Sequence, residues 1–411
     1  MTRFALKLAA FLLPFAALFA APMMVLALGG ELSSVAGVVT RQMRGTPLLY
    51  GEAYSNPVKR FKLLAIQRRR PDVLVLGSSR VMQFRADSFL DPSVVYNGGG
   101  SIATVWDFRH VLDRLDPTHP PKVLILGLDQ WFFNPNWAER PDLGVHEFEA
   151  EDTPLNVIQR NWRAVYQELA AGKISLGRLL AGGPCVGLNA MMQNNGFRND
   201  GSYLYGRVIA EPDRPDHWDP GFQDTFVRIE RGERRFEWSD RVDGPAVAEL
   251  DRALDAAARK GIHVVGVLPP FAPSVLARLR ASGRYPYLAK LLPALRPAFE
   301  ARGFEVVDLT DAGPLGVTDA EFIDGFHGSD KTYLRVTLRL SSVAPSLGRL
   351  VDRGELERRL RGATRFEVPP PRLRRSGAIP RGGRYLQRPS ARSRVRRRTF
   401  ARSAVSARLA P

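Results

Sequence analysis

Residues 73–84 read VLVLGSSRVMQF. Val73–Leu76 is an unbroken apolar run of the kind that forms a strand buried on both faces of a parallel sheet. Gly77, Ser78 and Ser79 then make a tight turn, and Arg80 opens a segment whose mixed polarity predicts an amphipathic helix. A strand that ends in a serine-bearing turn can present a nucleophile at the edge of a sheet. It is also an ordinary way for a chain to leave a sheet, so the rest of the sequence has to decide.

The same rhythm recurs on either side. SVVYNGGG (93–100) is a second short strand meeting a glycine-rich turn, and TVWDFRHVLDRLD (104–116) is an amphipathic helix. PKVLILGLD (121–129) is a third strand. AVAELDRALDAAARKG (246–261) is a helix closed by Gly261 that feeds the strand IHVVGVLPP. LAKLLPALRPAFEARG (288–303) is a helix expected to break or bend at its prolines before the strand FEVVDLTD. Repeated strand–helix–strand units predict a parallel sheet covered by helices on both faces, a three-layer α/β sandwich. Ligands in such sheets bind beyond the carboxyl ends of the strands. Residues 31–70 read as a polar, partly helical neck. About 138–245 interrupt the rhythm with aromatic, Gly, Asn and Asp residues, too long for a plain loop. They are expected to form an inserted subdomain that helps form the substrate site, within an α/β domain spanning 71–350.

The N-terminus places this domain. Arg3 and Lys7 precede an uncharged apolar stretch from Leu8 to Gly30, close to the ~20 residues that cross a bilayer as a helix and longer than the ~7–15 of a signal-peptide core. An uncleaved transmembrane anchor over residues 1–30 is therefore expected, kinked at Pro14 and Pro22. The basic residues hold the N-terminus in the cytoplasm and put everything after residue 31 in the periplasm or outside the cell.

The net charge of +17 over 411 residues suggests nucleic acid until it is located. Residues 369–411 carry 13 Arg and no acidic residue, which leaves +4 for the rest. The charge belongs to a low-complexity tail, expected from about 365, that cannot bury a core. No nucleic-acid partner, cofactor or structural metal is implied, and the single cysteine, Cys185, excludes a disulfide framework.

The candidate reactive residues fall at strand ends: Ser78 and Ser79 after the first, Gly99 and Gly100 after the second, Asp129 after the third. Near the end, EFIDGFHGSD brings Asp324 and His327 into one loop. A serine nucleophile needs a base, usually His because its pKa lies near neutrality, and a carboxylate to orient that base. Arg80 beside the serine is a candidate for holding an anionic substrate group. DQWFFNPNW (129–137) supplies aromatic faces, Trp131 first, that suit a sugar ring.

In this order and spacing the residues resemble the SGNH, or GDSL-like, hydrolase superfamily, over roughly 70–345. GSSR is similar to the Gly-Ser-Ser variant of membrane-linked members, and DGFH fits the family's Asp-X-X-His block. The resemblance implies an SGNH or flavodoxin-like sheet with Ser79 as nucleophile, Asp324 as orienter and His327 as base. It also implies a membrane-anchored esterase or O-acetyltransferase acting on acylated carbohydrate or a cell-envelope polymer. A polysaccharide-export or acyl-donor membrane protein would be its partner. The middle blocks depart from the family. NGGGSIAT leaves only the Gly99 and Gly100 amides as oxyanion donors, and GLDQ puts Asp129 where the family has an asparagine. An ionised Asp cannot donate to an oxyanion. That departure keeps a non-catalytic carbohydrate-binding or assembly protein as the alternative.

Overall fold

The computed structural model describes residues 2–137, 145–212, 214 and 218–372. Among the described residues nine strands follow one another: β1 Leu49–Tyr50, β2 Val73–Leu76, β3 Val95–Asn97, β4 Val123–Gly127, β5 Cys185–Val186, β6 Asn195–Phe197, β7 Tyr203–Tyr205, β8 His263–Leu268 and β9 Glu305–Asp308. Five of them form the central sheet in the order β3-β2-β4-β8-β9, every pair parallel. Numbered within that sheet, the order is 2-1-3-4-5. The direction of winding reverses between β2 and β4, and a crevice opens at such a point beyond the strand ends.

Alternation along the strands explains the layers. Leu74, Leu76, Leu124, Leu126, Val264 and Leu268 enter one core with helices Val105–Asp113, Gly244–Arg259 and Tyr287–Glu300. Val73, Val75, Val123, Ile125, Val265 and Val267 enter the opposite core, against helix Asp330–Val343. Successive side chains of a strand point to opposite faces, so an all-apolar run needs cover on both. Helix Tyr287–Glu300 runs through Pro293 and Pro297 without a break. A side chain at Gly266 would reach within 2.6 Å of the Phe299 ring, so that helix lies directly against β8.

Two expectations need correction. The neck is not a polar spacer. Helix Val35–Met43 buries Val35, Val38 and Val39, and helix Val58–Arg69 buries Phe61, Ala65 and Ile66 in the main core. Its strand β1 sits inside a second sheet, β5-β1-β6-β7, whose other strands come from the 138–245 region. Rings cement the join: Tyr50 to Phe61 at 4.8 Å, Phe61 to Phe197 at 5.4 Å and Phe197 to Tyr203 at 5.0 Å. The tail also begins later than residue 365. Phe366 is buried, its carbonyl accepts from Lys331 N, and the Arg359 guanidinium donates to Pro369 O. Residues 373–411 of the expected tail lie outside the described residues, as do 138–144 of the insertion.

Helix Thr2–Leu28 contains both prolines, and its segments Arg3–Pro14 and Leu18–Leu28 meet at 55°. Proline lacks the amide for the helical bond and crowds the preceding turn, which bends a helix. Among the described residues no single helix is long and apolar enough to cross a membrane, though this bent pair passes that test together. The end of the helix is built into the fold, with Val25 and Leu26 buried in a cluster with Val157, Val165, Ile174 and Leu179. Cys185 is half-buried in β5, and burial pushes its thiol pKa up, which disfavours the reactive thiolate.

Candidate active site

The chain leaves β2 through Gly77 and turns back over the sheet instead of continuing into the expected amphipathic helix. Only one 3₁₀ turn forms, Ser79–Val81. The carbonyls of Val81 and Phe84 accept from the Asn97 side-chain amide at 2.9 and 2.8 Å, and Val81 O also accepts from Phe84 N at 3.2 Å, which closes a turn and not a helix. The turn fits because β2 is followed by Gly77 and β4 ends in Gly127. A Cβ on Gly77 would lie 2.7 Å from a Val81 methyl, and one on Gly127 closer still. Val81 occupies the space those side chains would fill.

This turn separates the two serines by role. Ser78 caps it, its hydroxyl accepting from Arg80 N at 3.1 Å. Ser79 Oγ instead lies 2.7 Å from His327 Nε2, across 248 residues of sequence. His327 Nδ1 lies 2.7 Å from Asp324 Oδ2. Asp324 Oδ1 accepts from the amides of Phe326 at 3.0 Å and His327 at 2.7 Å. Burial alone would raise the Asp324 carboxyl. The neighbouring His327 and the two amides outweigh it and hold the pKa down at about 2. An ionised Asp324 accepts only, so the network assigns the imidazole proton to Nδ1 and leaves Nε2 to receive the Ser79 hydroxyl proton.

The His327 loop is closed on itself and clamped from outside. Ile323 N donates to His327 O at 2.8 Å, Ala272 N donates to Gly325 O at 3.1 Å, and Ser329 caps the helix that follows. Arg80 ties this loop to the serine turn. Fully buried, it donates through Nε to Phe326 O at 3.1 Å and through Nη1 to Gln130 Oε1 at 2.5 Å. Its Nη2 reaches Pro269 O at 2.9 Å and Pro270 O at 2.7 Å. One guanidinium thus joins the segments that follow β2, β4 and β8 to the His327 loop. This corrects the expectation that Arg80 meets substrate, because its donors are committed inside the protein.

Three further candidates are placed differently from the expectation. Gly99 N donates to Asn97 Oδ1 at 2.7 Å, and Gly100 N is shared between Gly77 O and Ser78 O at 2.9 and 3.0 Å. Both amides are occupied, and the glycines serve the turn: Gly100 has φ +88 and Gly99 leaves no room for a Cβ beside Asn97. The Ser79 amide stands at the start of its 3₁₀ turn, where helical N–H groups have no intrahelical acceptor, and no acceptor for it exists among the described residues. Trp131 is buried, with the Arg80 guanidinium 5.2 Å from its ring centre and Phe326 at 6.0 Å. Phe132, Phe133 and Trp137 are core residues too. They carry the site from below and offer a sugar no open face.

Asp129 is completely buried, its Oδ1 3.7 Å from Arg80 Nη1. Burial raises its carboxyl pKa, against the opposing pull of Arg80, the Ser78 hydroxyl and Arg235. Its carboxyl faces Arg80 inside the protein and not the space in front of Ser79.

Two aromatic residues of the 138–245 region, neither singled out by the sequence, lie on the His327 side of the site. Tyr205, at the end of β7, has its ring 6.3 Å from the His327 ring, and Trp218 packs edge-on to Tyr205 at 5.4 Å while 51% exposed. A side chain on Gly325 would strike Thr225, so helix Gln223–Arg231 seals the back of the His327 loop. Among the described residues no group of His, Cys, Asp and Glu is arranged to hold a metal ion. The arrangement can lower the cost of removing the Ser79 proton and stabilise the imidazolium that results, which is the chemistry of nucleophilic acyl transfer. Comparison of the chain with protein-family models, curated proteins and solved structures finds no match.

Proposed function

We propose that this chain is a membrane-anchored serine esterase or O-acyltransferase of the SGNH type, acting on O-linked acyl groups of an exported polysaccharide. The observation that carries the reading is the continuous relay from Ser79 Oγ through His327 to Asp324, 2.7 Å at each step. It forms at the sheet's switch point, where a 2-1-3-4-5 α/β sheet binds ligands.

In the proposed reaction, Ser79 Oγ attacks the ester carbonyl carbon as its proton passes to His327 Nε2. The carbonyl oxygen becomes an oxyanion beside the Ser79 amide. Collapse breaks the bond to the leaving alcohol, which takes the proton from Nε2 and leaves the acyl group on Ser79. A water or a sugar hydroxyl then loses its proton to Nε2 and attacks the acyl carbon, and Ser79 Oγ recovers the proton on departure. Asp324 stays ionised throughout, holding the tautomer and balancing the imidazolium. Exposed Trp218, reached through Tyr205, is the surface offered to a sugar ring.

The second reading, a non-catalytic envelope protein on the same fold, draws on the occupied Gly99 and Gly100 amides and on Asp129. Losing one oxyanion donor costs ~10²–10³ in rate. Purified full-length protein given an activated acetyl ester, with and without oligosaccharide, separates the cases. Acetylated sugar with little free acetate supports transfer, and fast acetate release that ignores the sugar supports an esterase. Neither product from a folded protein supports the second reading.

A further inference from the structure

We propose that the hairpin formed by helices Pro154–Ala170 and Leu176–Ala181 is a membrane-interface seat that fixes the height of the active site above a phospholipid bilayer. The proposal rests on reading the N-terminal helix as a membrane anchor.

The anchor is joined to the domain rigidly. Val25 and Leu26 are buried, Gly187 N donates to Gly29 O at 2.8 Å, and the Glu31 carboxylate accepts from the amides of Ala53, Tyr54 and Leu188. No free linker lies between helix and domain, so the depth of one sets the depth of the other.

Helix Pro154–Ala170 runs antiparallel beside the anchor. Val157 shares the cluster of Val25 and Leu26, the Trp162 ring meets Phe19 at 5.2 Å, and Tyr166 Oη donates to Leu18 O at 2.8 Å. Residue 18 lies ten positions before the helix end, ~15 Å along the axis. The apolar stretch begins at Leu8. The half of the helix before Pro14 exposes Phe11, Leu12 and Leu13, and an anchor inserted over that half sets the hairpin tip, residues 170–175, at the bilayer surface.

The surface of the hairpin suits that depth. Leu176 and Leu180, one turn apart, are 57% and 77% exposed. Exposed Arg163, Lys173 and Arg178 accompany them. Apolar side chains beside cations form a surface that lies in the headgroup layer and attracts anionic lipid. Exposed cations and amides keep the hairpin out of the hydrocarbon. The apolar residues continue those exposed on the anchor itself, including Leu12, Leu13 and Phe19, which argues for lipid as the occupant over a separate protein.

Full-length protein carrying Cys185→Ala and one new cysteine is labelled with an environment-sensitive fluorophore. It is then reconstituted in phosphatidylglycerol–phosphatidylcholine vesicles with or without brominated acyl chains. Leu12→Cys reports the anchor, Leu180→Cys the hairpin and Ala258→Cys the solvent-exposed far helix. Quenching by brominated lipid is expected at 12 and 180, at 180 about threefold or more above 258, and deeper with added anionic lipid. Quenching at 12 but not at 180 overturns the seat and leaves the anchor standing. No quenching at either removes the anchor reading and the seat with it. A blue-shifted but unquenched label at 180 means a protein surface covers the hairpin, and overturns the proposal in favour of a second copy of the chain.

Discussion

Replacing Arg80 with methionine keeps most of the side-chain volume and removes the guanidinium that joins four segments of the site. The bonds lost are those to Phe326 O, Gln130 Oε1, Pro269 O and Pro270 O, all buried. Hydrogen bonds from a charged donor contribute ~1.5–3 kcal/mol each, but the acceptors can relax and the cost of burying the cation is recovered. Asp129 loses the cation 3.7 Å away that opposes the upward push of burial on its carboxyl pKa. The net expectation is the ~3–5 kcal/mol typical of breaking a buried charged cluster. For a domain of this size that is a fall in melting temperature on the order of 10 °C. Arg80→Lys keeps the charge, yet three donors on one nitrogen cannot reach acceptors in three directions, so it should fall in between. The assay is thermal unfolding in detergent, paired with the rate of labelling by a serine-reactive fluorophosphonate. The substitution should slow labelling even at temperatures where the protein stays folded, because the His327 loop loses its tie to the serine turn. An Arg80→Met protein that melts within about 2 °C of the parent and labels at its rate would refute the reasoning.

The remaining expectations are narrower. Asp324→Asn should lower labelling or turnover by ~10³–10⁴, as the orienting carboxylate is lost and the imidazole tautomer is no longer fixed. Asp324 also sets a pH dependence of stability. Its folded pKa of about 2 lies below the unfolded ~3.9, so roughly 2–3 kcal/mol is present above pH ~4 and lost as pH falls toward 2. Urea unfolding of the Asn variant should lack that slope. Gly127→Ala should push Val81 and slow labelling, and adding Val81→Ala should restore part of the rate; no rescue would argue against the contact. Deleting residues 373–411 should leave the melting temperature within about 2 °C, because the last described segment already ends its packing at Pro369 and Arg372.

The sheet was legible because each of its long strands is a run of apolar residues that needs cover on both faces. The Asp324–His327 pair was legible because it lies within one loop. What escaped depends on contacts across long separations. Tyr50 pairs with Phe197, and Lys62 with Asn97 O and Gly201 O, and no local pattern marks residues so far apart as partners. Arg80 and Trp131 illustrate a second limit. Their types suit a ligand equally well, and only burial assigns them to the supports beneath the site. The amphipathic stretch after Arg80 forms a single 3₁₀ turn whose Val81 carbonyl, with that of Phe84, is held by Asn97, a contact invisible to periodicity. The aromatic character of 138–245 suited a wall of the site, but nothing local marks Tyr205 as the ring that meets His327, 122 positions later in the chain.

The central claim is that Ser79 is the nucleophile. Full-length protein is treated with a fluorophosphonate, digested, and the adduct mapped by mass spectrometry, alongside Ser79→Ala, Ser78→Ala and His327→Ala. One adduct is expected, on Ser79, lost in Ser79→Ala and His327→Ala and retained in part in Ser78→Ala. An adduct that survives Ser79→Ala, or a folded parent protein that takes up no probe, would contradict it.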